Sequence, residues 1–320
     1  MASSKANPLS GASDAWTKLK SEFESAEDVA ELLDGPAAPA EEIKAVAQRL
    51  QHAVTKLGAT AAVASGPNDP GVVAVAGDAV KLYTAALGTL MSYRKGAGPS
   101  LSGELKKAAM DLSTALVALG AAIGTSSMAM CAGKVLEKVK QLERVPTHNK
   151  AAIRKRILLC LAQARDASKE LEASLKSGDQ GDDEDDEDYD DACADEELEP
   201  GERKVVEAVS GFADAVQDLL KQASMYCSPK PLPDAGPTSI ASLEEVTSLA
   251  SASTKALDGL ICHCTGGFDD ANFNTSLLEA EEVVRQCGAF GGVIGGDSVV
   301  QKLKDGLLAM KEAAIAVEQT

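Results

Sequence analysis

A dense run of carboxylates near the middle of the chain constrains the fold more than any other feature. Between Asp182 and Asp191 every residue except Tyr189 is aspartate or glutamate, and a second acidic group follows at 195–199. Like charges at this density repel one another and bury no apolar surface, so nothing offsets the conformational entropy lost on ordering them. We therefore expect residues 178–200 to be a disordered, solvated linker between two folded parts.

The acidity of the chain is concentrated in this linker. The 320 residues carry a formal net charge of −18, but residues 178–200 hold 14 of the 49 acidic residues, leaving 35 against 31 basic residues elsewhere. The predicted folded parts are therefore close to neutral. Direct binding to nucleic acid is disfavoured, because such binding depends on neutralising phosphates with lysine and arginine.

Outside the linker, apolar residues recur at the three- and four-residue spacing of amphipathic helices. The second predicted helix shows this spacing at Ile43, Val46, Leu50, Val54, Leu57 and Ala61. No segment alternates for long between apolar and polar residues, and aromatic residues, which strands favour, make up only 3% of the chain. We predict an all-α protein of ten helices arranged as two up-and-down bundles.

The predicted domains follow from the linker and from the first capping residues. Residues 1–12 are predicted to be a disordered N-terminus, and 13–177 to form an N-terminal bundle that includes the sixth helix. The acidic linker occupies 178–200, and 201–320 is predicted to form a C-terminal bundle of four helices.

Several helix ends are predicted from residues that commonly cap helices. Ser100 is the predicted cap of the fourth helix, Thr147 that of the sixth, and Ser242 with Glu245 has the spacing of a capping box for the eighth. Gly291–Gly296 is predicted to be a loop before the last helix.

The sequence is predicted to have no membrane span and no disulfide framework. No charge occurs between Asp111 and Lys134, which approaches the length of a spanning helix, but the Gly-Thr-Ser-Ser cluster inside it is typical of a turn. The seven cysteines are odd in number and scattered. With no evident signal peptide, they are interpreted as reduced thiols in the cytosol or nucleus.

Two short motifs could be taken for ligand sites. Cys262-His263-Cys264 offers zinc-ligand residue types, but its cysteines are closer together than in typical structural sites, so a cluster at a helix end is preferred. The glycine-rich Gly291–Gly296 lacks the Lys-Ser/Thr of a P-loop and follows a helix. No catalytic arrangement is recognisable, and we expect a protein that is not an enzyme and uses no cofactor.

The most basic region, from Lys134 to Arg156, is the first candidate partner-binding site. Its candidate residues are Asn149, Lys150, Arg154, Lys155 and Arg156. A solvated helix face is the simplest interpretation, and the alternatives are a nuclear-import signal or a docking site for the acidic linker. The acidic run is the second candidate, through Asp182, Asp183, Glu184, Asp185, Asp186, Glu187 and Asp188.

The junction before the sixth helix resembles a known family. Val145–Ala152 reads VPTHNKAA and leads into a long helix ending DASKELEA at Asp166–Ala173. This segment resembles the cyclin-D-binding protein family, also called the Grap-and-cyclin-D-interacting proteins. That family has a Pro-x-x-Asn-Lys-Ala-Ala element at the start of a comparable helix and an acidic insert before a C-terminal helical region.

The resemblance implies an all-helical fold similar to the bundles of talin and vinculin, and binding to D-type cyclins. It also implies negative regulation of cell-cycle progression and a location in the nucleus and cytoplasm. The leading hypothesis is therefore a non-enzymatic adaptor that binds a D-type cyclin or related regulator through a helical surface. The alternatives are a cytoskeletal or adhesion adaptor of the talin/vinculin type, or binding of basic proteins through the acidic run.

Overall fold

The computed structural model describes residues 7–24, 40–92, 97–177, 199–228, 239–265, 270–294 and 297–318. Within these ranges the chain forms ten α-helices and no strand, which confirms the predicted all-α class. The helices are α1 (Gly11–Glu24), α2 (Ala40–Val63), α3 (Pro70–Ser92), α4 (Pro99–Ala122), α5 (Met128–Leu142), α6 (Asn149–Ser177), α7 (Pro200–Tyr226), α8 (Ile240–Thr265), α9 (Asp270–Ile294) and α10 (Asp297–Glu318).

The helices group into two compact units. The first comprises Met1–Ala152 with Ser239–Ala241, and the second comprises Ile153–Thr238 with Ser242–Thr320. This grouping differs from the predicted N-terminal bundle 13–177, because α6 gives only its first turn to the first unit.

Two side chains farther along α6 contact helices of the second unit. Gln217 of α7 donates a hydrogen bond to the hydroxyl of Ser168 at 3.0 Å. The Sγ atom of Cys160 lies 3.9 Å from the hydroxyl oxygen of Ser251 on α8. An apolar row predicts that a helix has a buried face, but it does not specify which helices cover that face.

The core of the first unit is built from the apolar rows that the sequence predicts. On α2, five of the six predicted residues are buried and Val46 is half-buried. This helix packs on α3 and α5, while α4 packs on α5 and α1. Tyr83 of α3 is fully buried and its hydroxyl donates to the carbonyl of Ala109 on α4 at 3.0 Å. Burial raises the pKa of Tyr83 to about 12, so the phenol stays neutral at physiological pH.

Residues 7–12, which the sequence predicts to be disordered, pack against α4. The amide of Asn7 donates to the carbonyl of Val117 at 3.0 Å, and its Oδ1 accepts from the backbone N–H of Leu9 at 2.9 Å. Leu9 and Ala12 are fully buried. The missing side chain of Gly120 makes room for this segment, since a Cβ there would lie 2.8 Å from the Cβ of Leu9.

In the second unit, α7 lies along α10 and also contacts α9, which packs on α10 in turn. The two helices come close together at Gly306 of α10, where a Cβ would lie 3.1 Å from the Cα of Phe212 on α7. Lys302 donates to the carboxylate of Asp218 across the same pair of helices at 2.9 Å. Small residues therefore let these two helix axes approach closely, and an ion pair lies at the edge of their contact.

Three predicted helix starts differ from the structure. The N-cap of α4 is Gly98, and Ser100 is buried within the first turn. Likewise α8 begins at Ile240, so Ser242 lies inside the helix and does not cap it. The start of α6 is capped by His148 and not by Thr147. Each local sequence matched a capping pattern that was one or two residues away from the true end.

Two further boundaries are corrected. Glu199, which the sequence places in the acidic linker, is the N-cap of α7 and forms a capping box with Glu202. The carboxylate of Glu202 accepts from the backbone N–H of Glu199 at 2.9 Å. At the end of α9, the helix continues to Ile294, so the first four residues of the predicted loop 291–296 are helical.

One described helix is long and apolar enough to cross a membrane, namely α3. Eight of its residues are buried in the first unit, and core helices pass the same test, so this is weak evidence for a span. The uncharged segment between Asp111 and Lys134 is divided between α4 and α5. Gly124, with a φ of +79°, lies in the turn that separates them, as the sequence predicts.

Candidate partner-binding surfaces

The segment before α6 forms a specific helix start. The Nδ1 atom of His148 accepts a hydrogen bond from the backbone N–H of Ala151 at 3.2 Å, and its carbonyl accepts from Ala152 at 3.2 Å. The imidazole thus satisfies a first-turn N–H that would otherwise have no intrahelical partner.

Asn149 is fully buried beside this cap. Its Oδ1 accepts a hydrogen bond from the backbone N–H of Gly98 at 2.7 Å, so it joins α6 to the residues just before α4. This candidate partner-binding residue therefore serves the fold, and it presents no surface to a partner.

The basic candidates on α6 do not form one patch. Lys155 and Arg156 are exposed, whereas Lys150 and Arg154 are half-buried. The Nε atom of Arg154 is buried and has no hydrogen-bond partner among the described residues. Because successive helical residues are rotated by about 100°, the three consecutive basic residues 154–156 point in three different directions. Neighbours in the sequence are thus separated on the helix.

The outer side of α6 exposes two leucines that the sequence pattern does not single out. Leu158 is 43% exposed and Leu159 is 54% exposed. Lys155 lies one turn before them and Ala162 one turn after, and both are also exposed. We call these four residues the α6 face. The sequence could have indicated their exposure, because both leucines lie outside the inward row of α6, which contains Ile157 and Leu161.

The acidic candidates from Asp182 to Asp188 lie outside the described residues. The same holds for residues 178–198 of the predicted linker. Contact with a partner through the acidic run, and docking of that run on the basic region, both stay predictions.

A groove runs between α2 and α3 in the first unit. Its volume is about 630 Å³, and it is lined on α2 by Arg49, His52 and Lys56 among others. Asp78 and Leu82 lie on the α3 side, and Ala53 and Val75 are buried at its base. We call this feature the α2–α3 groove. His52 falls within the second predicted helix, but the sequence does not show which helix lies opposite it.

The Cys-His-Cys motif lies in the last turn of α8. Cys262 is exposed, while Cys264 is buried, and burial raises the pKa of the Cys264 thiol to about 12. Burial likewise raises the pKa of Cys287 to about 12. Such thiols stay protonated at neutral pH, whereas metal binding and nucleophilic attack require the thiolate. In the part of the chain that the structure describes, no three His, Cys, Asp or Glu side chains are arranged to hold a metal ion.

Comparison with known proteins supports the resemblance seen in the sequence. Residues 42–177 match the family model described as Grap2 and cyclin-D-interacting, N-terminal. No curated protein matches the chain. The matched region covers α2 to α6 and so includes the helix start at 145–152, the α2–α3 groove and the α6 face. Residues 42–177 are therefore similar to the N-terminal region of the Grap2- and cyclin-D-interacting proteins.

Proposed function

We propose that the chain is a non-enzymatic adaptor that binds a D-type cyclin, or a related cell-cycle regulator, through the α6 face. In this proposal it restrains cell-cycle progression and acts in the nucleus and cytoplasm. The supporting observation is that the family model whose description names cyclin D ends with α6, and that this helix exposes Leu158 and Leu159.

The composition of the α6 face suits a protein contact. Protein interfaces commonly combine an apolar centre with a polar, solvent-accessible rim. Here the two leucines form the centre, and Lys155 and Arg165 lie on the exposed side of the helix around them. Burying a fully exposed leucine contributes roughly 1.5–3 kcal/mol, and about half of that is available from each of these half-exposed leucines. Together they can anchor a partner that offers an apolar pocket with an acidic rim.

The test is the affinity of the full-length chain for a purified D-type cyclin, measured by calorimetry or surface plasmon resonance. The variant L158S/L159S removes the apolar centre without touching the inward row of α6. We expect it to weaken binding by at least about tenfold, the usual effect of losing an interface anchor.

Leu308 provides a matched control for this experiment. It is 57% exposed on α10, outside the matched region, so Leu308→Ser makes the same chemical change on another helix. We expect its affinity to equal that of the wild type. Absence of binding by the wild type, or equal loss in both variants, would exclude the α6 face as the cyclin contact.

A further inference from the structure

We propose that the α2–α3 groove is a second docking site, which takes an acidic amphipathic helix of a protein partner. This inference goes beyond the proposed function, because it concerns another surface and does not depend on cyclin binding. It rests on the shape of the groove, on the charges along its α2 side and on its apolar base.

The groove is long enough for a short helix. Arg49, His52 and Lys56 are spaced by three and four residues, so they form one row along α2. Val75, Asp78 and Leu82 form the corresponding row on α3. The lining residues of α2 begin at Ala45 and end at Lys56, and at 1.5 Å per residue this corresponds to about 16 Å, or three helical turns.

The charges on the two sides of the groove are unequal. The cationic side chains of Arg49 and Lys56 are exposed and have no ion-pair partner among the described residues. On the opposite side, Asp78 lies 3.5 Å from the ammonium group of Lys81, so its charge is already partly compensated. The groove therefore has excess positive charge, although the whole chain has a formal charge of −18.

This excess of positive charge indicates an acidic occupant, because an acidic segment is attracted to cations that have no ion-pair partner. At physiological ionic strength the Debye length is about 8 Å, so distant carboxylates are screened and the nearby cations of the α2 row dominate. A basic segment would be repelled by the same cations.

The apolar base indicates that the occupant is amphipathic and helical. Ala53 and Val75 are buried beneath the groove, and Leu82 is half-buried at its edge. Helix-in-groove recognition places apolar residues at positions i, i+3 or i+4 and i+7 of the bound helix. Such a helix would set its apolar row against this base and its carboxylates against Arg49 and Lys56.

The experiment uses the full-length chain and a synthetic fluorescent peptide of about four helical turns. The peptide carries leucines at helical spacing and glutamates on both flanks. A scrambled peptide of the same composition has the same charge without the amphipathic face. We expect fluorescence anisotropy to show that the ordered peptide binds at least tenfold more tightly than the scrambled one.

Variants of the chain locate the binding. R49E/K56E reverses the charge of the row and should weaken peptide binding at least tenfold. Lys44→Glu is the matched control, because Lys44 is exposed on the same helix but does not line the groove. It should change the affinity less than twofold. All these positions are exposed, and circular dichroism should show unchanged helix content.

Three outcomes would overturn the proposal. Equal binding of the scrambled peptide would show simple charge attraction, and an unchanged affinity of R49E/K56E would place the peptide elsewhere. If a peptide that copies residues 180–199 of this chain binds more tightly than the designed amphipathic peptide, the occupant is the chain's own acidic segment and not a partner helix. The variant L158S/L159S should bind the peptide normally, which separates this test from that of the cyclin contact.

Discussion

The Oδ1 atom of Asn149 lies 2.7 Å from the backbone nitrogen of Gly98 and accepts its hydrogen bond. Both residues are buried, so water cannot replace this bond if it is lost. The contact links the start of α6 to the start of α4 across 51 positions of sequence. The asparagine of the Pro-x-x-Asn-Lys-Ala-Ala element is therefore part of the framework of the first unit.

Replacing Asn149 with alanine should destabilise the protein by about 1–3 kcal/mol, because the buried N–H of Gly98 is left without an acceptor. Urea unfolding followed by circular dichroism measures the change. Glu172→Ala, an exposed substitution on the same helix, should stay within about 0.5 kcal/mol of the wild type. Equal stability of the two variants would show that the Asn149 contact is dispensable.

His148 should be replaceable only by another capping residue. His148→Ala removes the acceptor for the backbone N–H of Ala151 and should cost about 1 kcal/mol, the typical value of a helix N-cap. His148→Asn supplies a side-chain oxygen at the same position and should retain most of the stability. Thermal unfolding compares the three proteins. A similar loss in both variants would mean that the imidazole acts through packing and not as a cap.

The helices themselves could be predicted because their signal is local. Rows such as Ile43, Leu50, Val54 and Leu57 repeat with the period of the helix, and each proves to be buried. The presence of each helix therefore depends on residues within a few turns of one another.

The grouping of helices and the surfaces could not be predicted, because they depend on residues far apart in sequence. Asn7 is held in place by a hydrogen bond to the carbonyl of Val117, which lies 110 positions away. The α2–α3 groove likewise exists only once His52 and Asp78 face each other across two packed helices. A periodic pattern contains no information about such pairings.

The N-terminal segment offers a direct test of one such long-range contact. A Cβ at Gly120 would lie 2.0 Å from Oδ1 of Asn7 and 2.8 Å from the Cβ of Leu9, so Gly120→Ala should displace residues 7–12. We expect a loss of about 1–3 kcal/mol, as for other overpacked sites, and faster proteolysis before α1.

Gly103 is the matched control for this substitution. It lies on the same helix, α4, and a Cβ there meets nothing within 4 Å. Gly103→Ala should therefore stabilise the protein, by up to about 1 kcal/mol, through helix propensity alone. If Gly120→Ala also stabilises the chain and leaves proteolysis unchanged, the packing of residues 7–12 on α4 is wrong.

The ion pair between α7 and α10 should make the free energy of unfolding depend on pH in the acidic range. Lys302 and then Lys221, as hydrogen-bond donors to Asp218, hold the pKa of this carboxyl below its ordinary value of 3.8. A carboxyl whose pKa is lower in the folded state stabilises the fold above its unfolded pKa, and that contribution is lost as the pH falls through the folded pKa.

Asp218→Asn should therefore lower the free energy of unfolding at neutral pH, and the difference from the wild type should shrink as the pH falls below about 4. Urea unfolding at a series of pH values measures this. Because Lys302 acts through the same carboxylate, adding Lys302→Met to Asp218→Asn should have little further effect at neutral pH. A difference between Asp218→Asn and the wild type that stays constant from neutral pH to pH 3 would show that the two lysines do not stabilise the ionised form of Asp218.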